Sequence, residues 1–216
     1  MDAIKVINLS KELKENIVLK NINLTVQKAT INFFYGPNGS GKTMLFRAIC
    51  GMIKPSEGQV IVFGKELGKD LEFPENLGLI IENVGFWDEY TGFENLKLLA
   101  SIRNVISDEE INETLEFVGL DPKDKRTYKK YSLGMKQRLA IAQAIMEKPK
   151  LLVLDEPTNS LDEDSVDRFK EIIKELKNEG VTILVSSHDK YLLDGIADNY
   201  YLMHPGGKLE SVEALR

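Results

Sequence analysis

Residues Gly36, Pro37, Asn38, Gly39, Ser40, Gly41, Lys42 and Thr43 run consecutively and fit the pattern Gly-x4-Gly-Lys-Thr. Glycines let successive backbone N–H groups turn toward one anion, and a helix starting here adds the positive end of its dipole. Lys42 is placed to reach the β- and γ-phosphates of a nucleotide, and Thr43 to offer a hydroxyl to Mg²⁺. The expected chemistry is the binding of a nucleoside triphosphate.

A second group closes the apolar run Leu151-Leu152-Val153-Leu154 with Asp155, Glu156 and Pro157. Ligands of open α/β sheets bind beyond the carboxyl ends of the strands. Asp155 can hold Mg²⁺ directly or through water, while Glu156 can accept a proton from an attacking water. An acidic strand end is commonplace alone, so this reading depends on the phosphate loop. Ser132 reads on local grounds as a helix N-cap, Asp162 as the first acid of the next helix, and His188 as a residue following a strand.

These groups need strands and helices to hold them. Residues 30–35 are β-branched and aromatic and run into the glycine loop, followed by a helix over 42–50 closed by Gly51. Residues 3–8 and 17–25 predict two short antiparallel strands, with the turn in the Asn, Ser and Lys residues between them. Apolar runs at 59–63, 77–81, 151–155 and 181–186 lack polar alternation, the pattern of strands buried on both faces of a mostly parallel sheet. Helices are expected at 93–103, at 108–118 behind the capping box Ser107-Asp108-Glu109-Glu110, from Ser132 until Pro149, and over 162–178. The fold class is therefore α/β, with an antiparallel N-terminal part, a mostly parallel core sheet and a helical insertion beginning near Val84. That helical block spans approximately 84–148, within one domain covering 1–216.

The chain has 216 residues, with 28 basic and 34 acidic side chains and a formal charge of −6, and the signs are mixed throughout. There is no basic footprint for phosphate-backbone binding, so direct contact with nucleic acid is not expected. The single cysteine, Cys50, suits a small buried hydrophobe in a reducing compartment. No apolar run approaches the roughly 20 residues of a spanning helix. The start Met1-Asp2-Ala3-Ile4 resembles neither a signal peptide nor a myristoylation site, and a soluble chain is expected.

Taken together, these residues resemble the nucleotide-binding subunits of ATP-binding-cassette (ABC) transporters over nearly the whole chain. Tyr131-Ser132-Leu133-Gly134-Met135-Lys136-Gln137-Arg138 is similar to the family signature Leu-Ser-Gly-Gly-Gln with its basic residues. The resemblance implies that Ser132 and Gly134 contact the γ-phosphate of ATP held by a second subunit, in an ATP-dependent head-to-tail dimer. It also implies that Asn159-Ser160-Leu161-Asp162 is the D-loop at that interface and that His188 is the switch histidine at the γ-phosphate. ATP and Mg²⁺ are the implied ligands, and a transmembrane permease is the implied partner. The chain would then sit in the cytoplasm, peripheral on the cytoplasmic face of the membrane. A soluble non-transport cassette in macromolecular or cofactor assembly is the alternative. A small-molecule kinase ranks last, having no use for the signature at Ser132.

Several positions depart from the family. Glu82 stands where a glutamine usually approaches Mg²⁺, and it is retained as a candidate metal ligand that would add charge beside Asp155 and Glu156. The sequence Ile81-Glu82-Asn83, followed by Gly85-Phe86-Trp87, resembles cassettes of exporters linked to bacitracin and lantibiotic resistance. Leu13 occupies the place of an adenine-stacking aromatic residue, which predicts modest discrimination between ATP and GTP. Leu133 and Met135 replace a glycine and a glutamine of the signature. Phe86, Trp87 and Tyr90 are open to two readings, an apolar docking patch for the permease or core packing.

Overall fold

The computed structural model describes residues 2–82 and 85–213, so Asn83 and Val84, the expected start of the insertion, lie outside the described residues. The chain opens on β1 (Asp2–Leu13) and β2 (Asn16–Gln27), paired antiparallel with Leu13 opposite Asn16. The reversal comes at Lys14 and Glu15, between the two expected strands, but β1 runs on past Asn8 to Leu13 and β2 starts at Asn16, so the strands are longer than the sequence pattern marks. The β1–β2 pairing is irregular between Val6 and Lys11. Lys14 and Glu15 both take positive φ, 47° and 68°, which matches a two-residue hairpin turn to the strand twist.

Next come β3 (Ile31–Tyr35) and α1 (Lys42–Ile49). The helix ends with Gly51 N–H bonded to Ala48 O and Met52 N–H to Arg47 O, a Schellman closure with Gly51 at φ 75°. The segments β4 (Glu57–Val62) and β5 (Lys65–Glu66) join β1 and β2 in a four-stranded antiparallel sheet of order β2-β1-β4-β5. The expectation that residues 59–63 belong to the parallel sheet is therefore corrected. Val60 and Val62 are buried beneath that antiparallel sheet, and an apolar run so short does not reveal which sheet it enters.

The second sheet holds β6 (Leu77–Ile80), β7 (Leu151–Asp155), β8 (Thr182–Ser187), β9 (Asn199–His204) and β10 (Lys208–Val212) in the order β10-β9-β3-β8-β7-β6. All neighbours are parallel except the β9–β10 hairpin. Between β6 and β7 lie α2 (Gly92–Arg103), α3 (Asp108–Phe117) and α4 (Leu133–Ile145), and α5 (Glu163–Asn178) connects β7 to β8. The Ser107–Glu110 capping box forms as expected, and Thr91 with Glu94 makes a second one at α2.

The two-residue period of the strands divides the core. Phe33, Leu152, Leu154, Ile183 and Val185 face the helices α2 to α5, while Phe34, Leu151, Val153 and Leu184 face α1 and the antiparallel sheet. Each side chain so buried contributes about 1.5–3 kcal/mol. The same alternation sends Asp155 and Ser186, two residues beyond Val153 and Leu184, toward α1. Register then aligns the functional ends: Tyr35 lies beside Ser187, and Asp155 beside Ser186.

Candidate nucleotide site

The glycine loop is pressed from two sides. Gly36 has φ 151°, and a Cβ there would lie 2.3 Å from Met203 O in β9. Gly41 caps α1 at φ 104°, with Val18 O of β2 2.8 Å from the same notional atom. A side chain at either position would push the loop off its supports. Lys42 is only 6% exposed, and its Nζ donates to Gly36 O at 2.8 Å and Pro37 O at 3.4 Å. Ser40 Oγ is buried with no hydrogen-bond partner among the described residues. The loop borders a cavity of about 320 Å³, lined by residues 38–44, Val18 and Glu156. No acid occupies the first turn of α1. Lysine, helix terminus and loop glycines thus fit a polyphosphate.

Asp155 is 8% exposed and has partners on both oxygens. Thr43 Oγ1 donates to Oδ2 at 2.6 Å, and Ser186 Oγ donates to Oδ1. Glu156 follows at φ 50°, a left-handed turn that redirects its side chain, with its N–H donated to Ser186 O at 3.2 Å and Ser186 Oγ at 3.1 Å. Its Oε1 lies 3.5 Å from Lys42 Nζ and has no hydrogen-bond partner among the described residues. Its Oε2 accepts from the His188 N–H at 3.3 Å and stands 3.0 Å from His188 Nδ1. One carboxylate oxygen is thereby held by the histidine while the other faces the cation at the cavity wall. That arrangement can take a proton from a water beside a bound phosphate.

Thr43 and Asp155 bring together two hard oxygen donors, which suits Mg²⁺ completed by phosphate oxygens and water. Among the described residues, no group of three or more His, Cys, Asp or Glu side chains could hold a metal by itself. Glu82 is not joined to this pair. Its side chain is 63% exposed, and Oε1 accepts from Arg47 Nη2 at 2.7 Å, in the last turn of α1.

Ser132, Gly134 and Asp162 do not line the phosphate cavity. Ser132 Oγ accepts from Met135 N–H at 3.2 Å and caps α4, and Asp162 Oδ1 accepts from Ser165 N–H at 3.0 Å and caps α5. Hydrogen bonds from Ser165 hold the Asp162 carboxyl below its usual range. Gly134 packs toward Ser160 O, 3.4 Å from where its Cβ would be, so the signature and the 159–162 segment form one surface. Gln137 Nε2 donates to Pro157 O at 2.7 Å, tying α4 to the chain that leaves β7.

The aromatic trio divides between its two readings. Phe86 packs on Tyr128 with ring centroids 5.2 Å apart, whereas Trp87 and Tyr90 are 47% and 44% exposed. Fully buried Asn95 holds their loop, accepting from Trp87 N–H and donating to the carbonyls of Trp87, Tyr90 and Thr91. Sequence reasoning missed Asn95, as it missed Ser186, Val18 and Arg47. Ser186 closes the apolar run 181–186, but only strand register brings it against Asp155.

A phosphate loop and an acidic strand end at one edge of a parallel sheet define a phosphate-loop nucleoside triphosphatase. Residues 19–159 match the family model described as ABC transporter. The chain is 46% identical to the uncharacterized ABC transporter ATP-binding protein YybJ of Bacillus subtilis, over 97% of this chain and 96% of that one. It is 40% identical to the bacitracin transport ATP-binding protein BcrA of Enterococcus faecalis, over 95% of this chain and 67% of that one. Its fold superposes on the dimeric bacterial ABC transporter cassette MJ0796 with a TM-score of 0.85 and 24% identity, covering 98% of this chain and all of that one. The chain belongs to the ABC transporter family.

Proposed function

We propose that this chain is the ATP-hydrolysing subunit of an exporter, a nucleotide-binding domain spanning 1–216 that drives a separate transmembrane permease. The observation that carries the reading is Glu156 held between Lys42 and His188 at the wall of the phosphate-loop cavity. In this reading the amides of residues 38–43 receive the β- and γ-phosphates, and Lys42 exchanges the Gly36 and Pro37 carbonyls for phosphate oxygens. Glu156 takes a proton from water as that water attacks the γ-phosphorus and the bond to the β-phosphate oxygen breaks, releasing ADP and phosphate. His188 orients Glu156 and the attacking water. Thr43 and Asp155 would hold Mg²⁺, which supplies neutralisation of the phosphate charge.

Ser132, Gly134 and Asp162 lie outside the cavity, which suits a role toward nucleotide bound by a second copy or a related cassette, arranged head to tail. ATP then closes the pair and hydrolysis reopens it. The permease partner places the chain on the cytoplasmic face of the membrane, and among the described residues no helix is long and apolar enough to cross it. The exposed Trp87 and Tyr90 suit a permease contact. Likeness to BcrA favours a peptide, antibiotic or lipid cargo over a soluble assembly role.

The test is a pull-down of tagged Glu156→Gln protein with Mg-ATP from gently solubilised native membranes, with the soluble fraction in parallel. Recovery of a multi-span membrane protein is expected. Recovery of soluble assembly factors alone would move the chain to the non-transport class.

A further inference from the structure

The phosphate cavity offers nothing to the nucleoside end of a nucleotide. Its described lining contains no aromatic ring, only the loop, Val18 and Glu156. Leu13, at the end of β1, is 43% exposed and presents an aliphatic surface. One residue before Val18, Ile17 enters the lining of a second, open cleft of about 670 Å³, together with Lys20, His204, Pro205, Gly206 and Lys208. Consecutive residues of β2, Ile17 and Val18, thus each line one of the two cavities.

The β9–β10 turn that forms the far wall is fixed to the phosphate loop. Lys20 N–H donates to Gly207 O at 2.8 Å, and Gly207 approaches so closely that a Cβ would lie 2.1 Å from Val18 O. Met203, immediately before His204, presses its carbonyl on Gly36 and its Cε on Gly41. His204 Nε2 stands 2.6 Å from Glu210 Oε2 across the hairpin, which fixes the orientation of a ring whose side chain is 41% exposed. A flat π face is thus held on the same rigid support as the anion loop.

We infer that this second cleft receives the base and ribose of the nucleotide whose phosphates occupy the loop, with the imidazole of His204 as the stacking surface. The inference rests on the nucleotide reading above. Stacking on one ring accepts any base, because every base has a π face. Ile17 supplies apolar contact, and Lys20 and Lys208 add positive charge suited to an anionic ligand. Tight selection of ATP over GTP is not expected from this lining.

The experiment measures equilibrium binding of ATP, GTP and inorganic tripolyphosphate to the full chain and to three variants, His204→Ala, His204→Phe and Leu13→Ala. His204→Ala is expected to weaken ATP and GTP about tenfold while leaving tripolyphosphate unchanged. His204→Phe restores nucleotide binding, and Leu13→Ala has the smaller effect. Unchanged ATP binding in His204→Ala overturns the inference. So does an equal loss for tripolyphosphate, which would report damage to the loop, or a larger loss in Leu13→Ala. If the native chain binds neither ATP nor tripolyphosphate, the nucleotide reading itself fails and takes this inference with it. Binding of both with no effect at His204 fails only the subsite.

Discussion

His188 Nδ1 stands 3.0 Å from Oε2 of Glu156, joining the chain that leaves β8 to the chain that leaves β7. The pairing leaves Oε1 facing Lys42, with no hydrogen-bond partner among the described residues. Glu156→Gln keeps the size and hydrogen-bonding ability of the side chain but removes its proton affinity. Turnover is expected to fall by about 10²–10⁴-fold with ATP binding retained. Phosphate release, followed beside calorimetric binding, separates these effects. Native turnover in the variant would remove Glu156 from the chemistry.

Gly78, in β6, tests how tightly the helical segment is seated on the parallel sheet. A Cβ there would lie 2.0 Å from Ala144 O in α4 and 2.9 Å from both Leu152 Cδ1 and Pro149 Cγ. The backbone carbonyl has nowhere to go without moving α4 off the strand. Gly78→Ala is expected to cost about 3 kcal/mol, at the upper end of overpacking effects. The midpoint of urea denaturation reads it. A native midpoint would show that α4 can shift freely on β6.

The elements around the phosphate loop were legible because each carries its own local signal. Glycine spacing marks the loop, Gly51 and Gly180 close helices, and Ser107 with Glu110 opens one. The turn between the first two strands was legible, but not its place at Lys14 and Glu15, since neither residue is a usual left-handed turn former. The β9–β10 hairpin was passed over although Pro205-Gly206-Gly207 carries a turn signal between its strands. Contacts between distant segments were hidden more deeply. The bond from Ser186 to Asp155 depends on β7 and β8 being neighbours in one register, and Arg47 meets Glu82 only because α1 packs beside the end of β6. Local pattern names the reactive residues, while long-range register decides what touches them.

The Arg47–Glu82 pair bears on the glutamine-to-glutamate departure. Both side chains are partly solvent-exposed, at 31% and 63%, so the pair contributes less than about 1 kcal/mol to stability. Glu82→Gln can still accept from the Arg47 guanidinium. Folding and ATP binding are expected to stay native, and permease-stimulated hydrolysis in reconstituted vesicles to change. If stimulated turnover is identical to native, Glu82 has no part in coupling.

Acid should weaken the helical segment through its capping carboxylates. Hydrogen bonds from Thr91 hold Glu94 below its ordinary value of 4.5, and Lys148 followed by Ser107 does the same for Glu110. A carboxyl lowered in the folded state contributes stability that is fully present above its unfolded pKa and is lost as pH falls toward the folded one. The denaturation midpoint should therefore begin to decline as pH drops below about 4.5. In a Glu94→Gln, Glu110→Gln double variant the acid-side decline should be shallower. An identical acid profile would assign the loss to other carboxylates.

Asn95 gives the most direct control over the exposed aromatic loop. Its side chain accepts one N–H and donates to three carbonyls between Trp87 and Thr91 at 2.8–3.3 Å, from a position with no solvent exposure. Asn95→Ala strips all of these contacts at once and leaves a cavity under the loop. Shared between one amide and one carbonyl oxygen, they should be worth about 2–3 kcal/mol together. Trp87 is the only tryptophan, so its fluorescence reports the loop without labelling. A shifted emission maximum and faster quenching by iodide are expected at denaturant concentrations where the far-ultraviolet signal is still native. If Trp87 also contacts the permease, the variant should lose permease-stimulated turnover while its basal phosphate release stays close to native, because Asn95 does not line the phosphate cavity. Equal loss of basal and stimulated activity would instead mean that the loop supports the nucleotide site rather than its coupling.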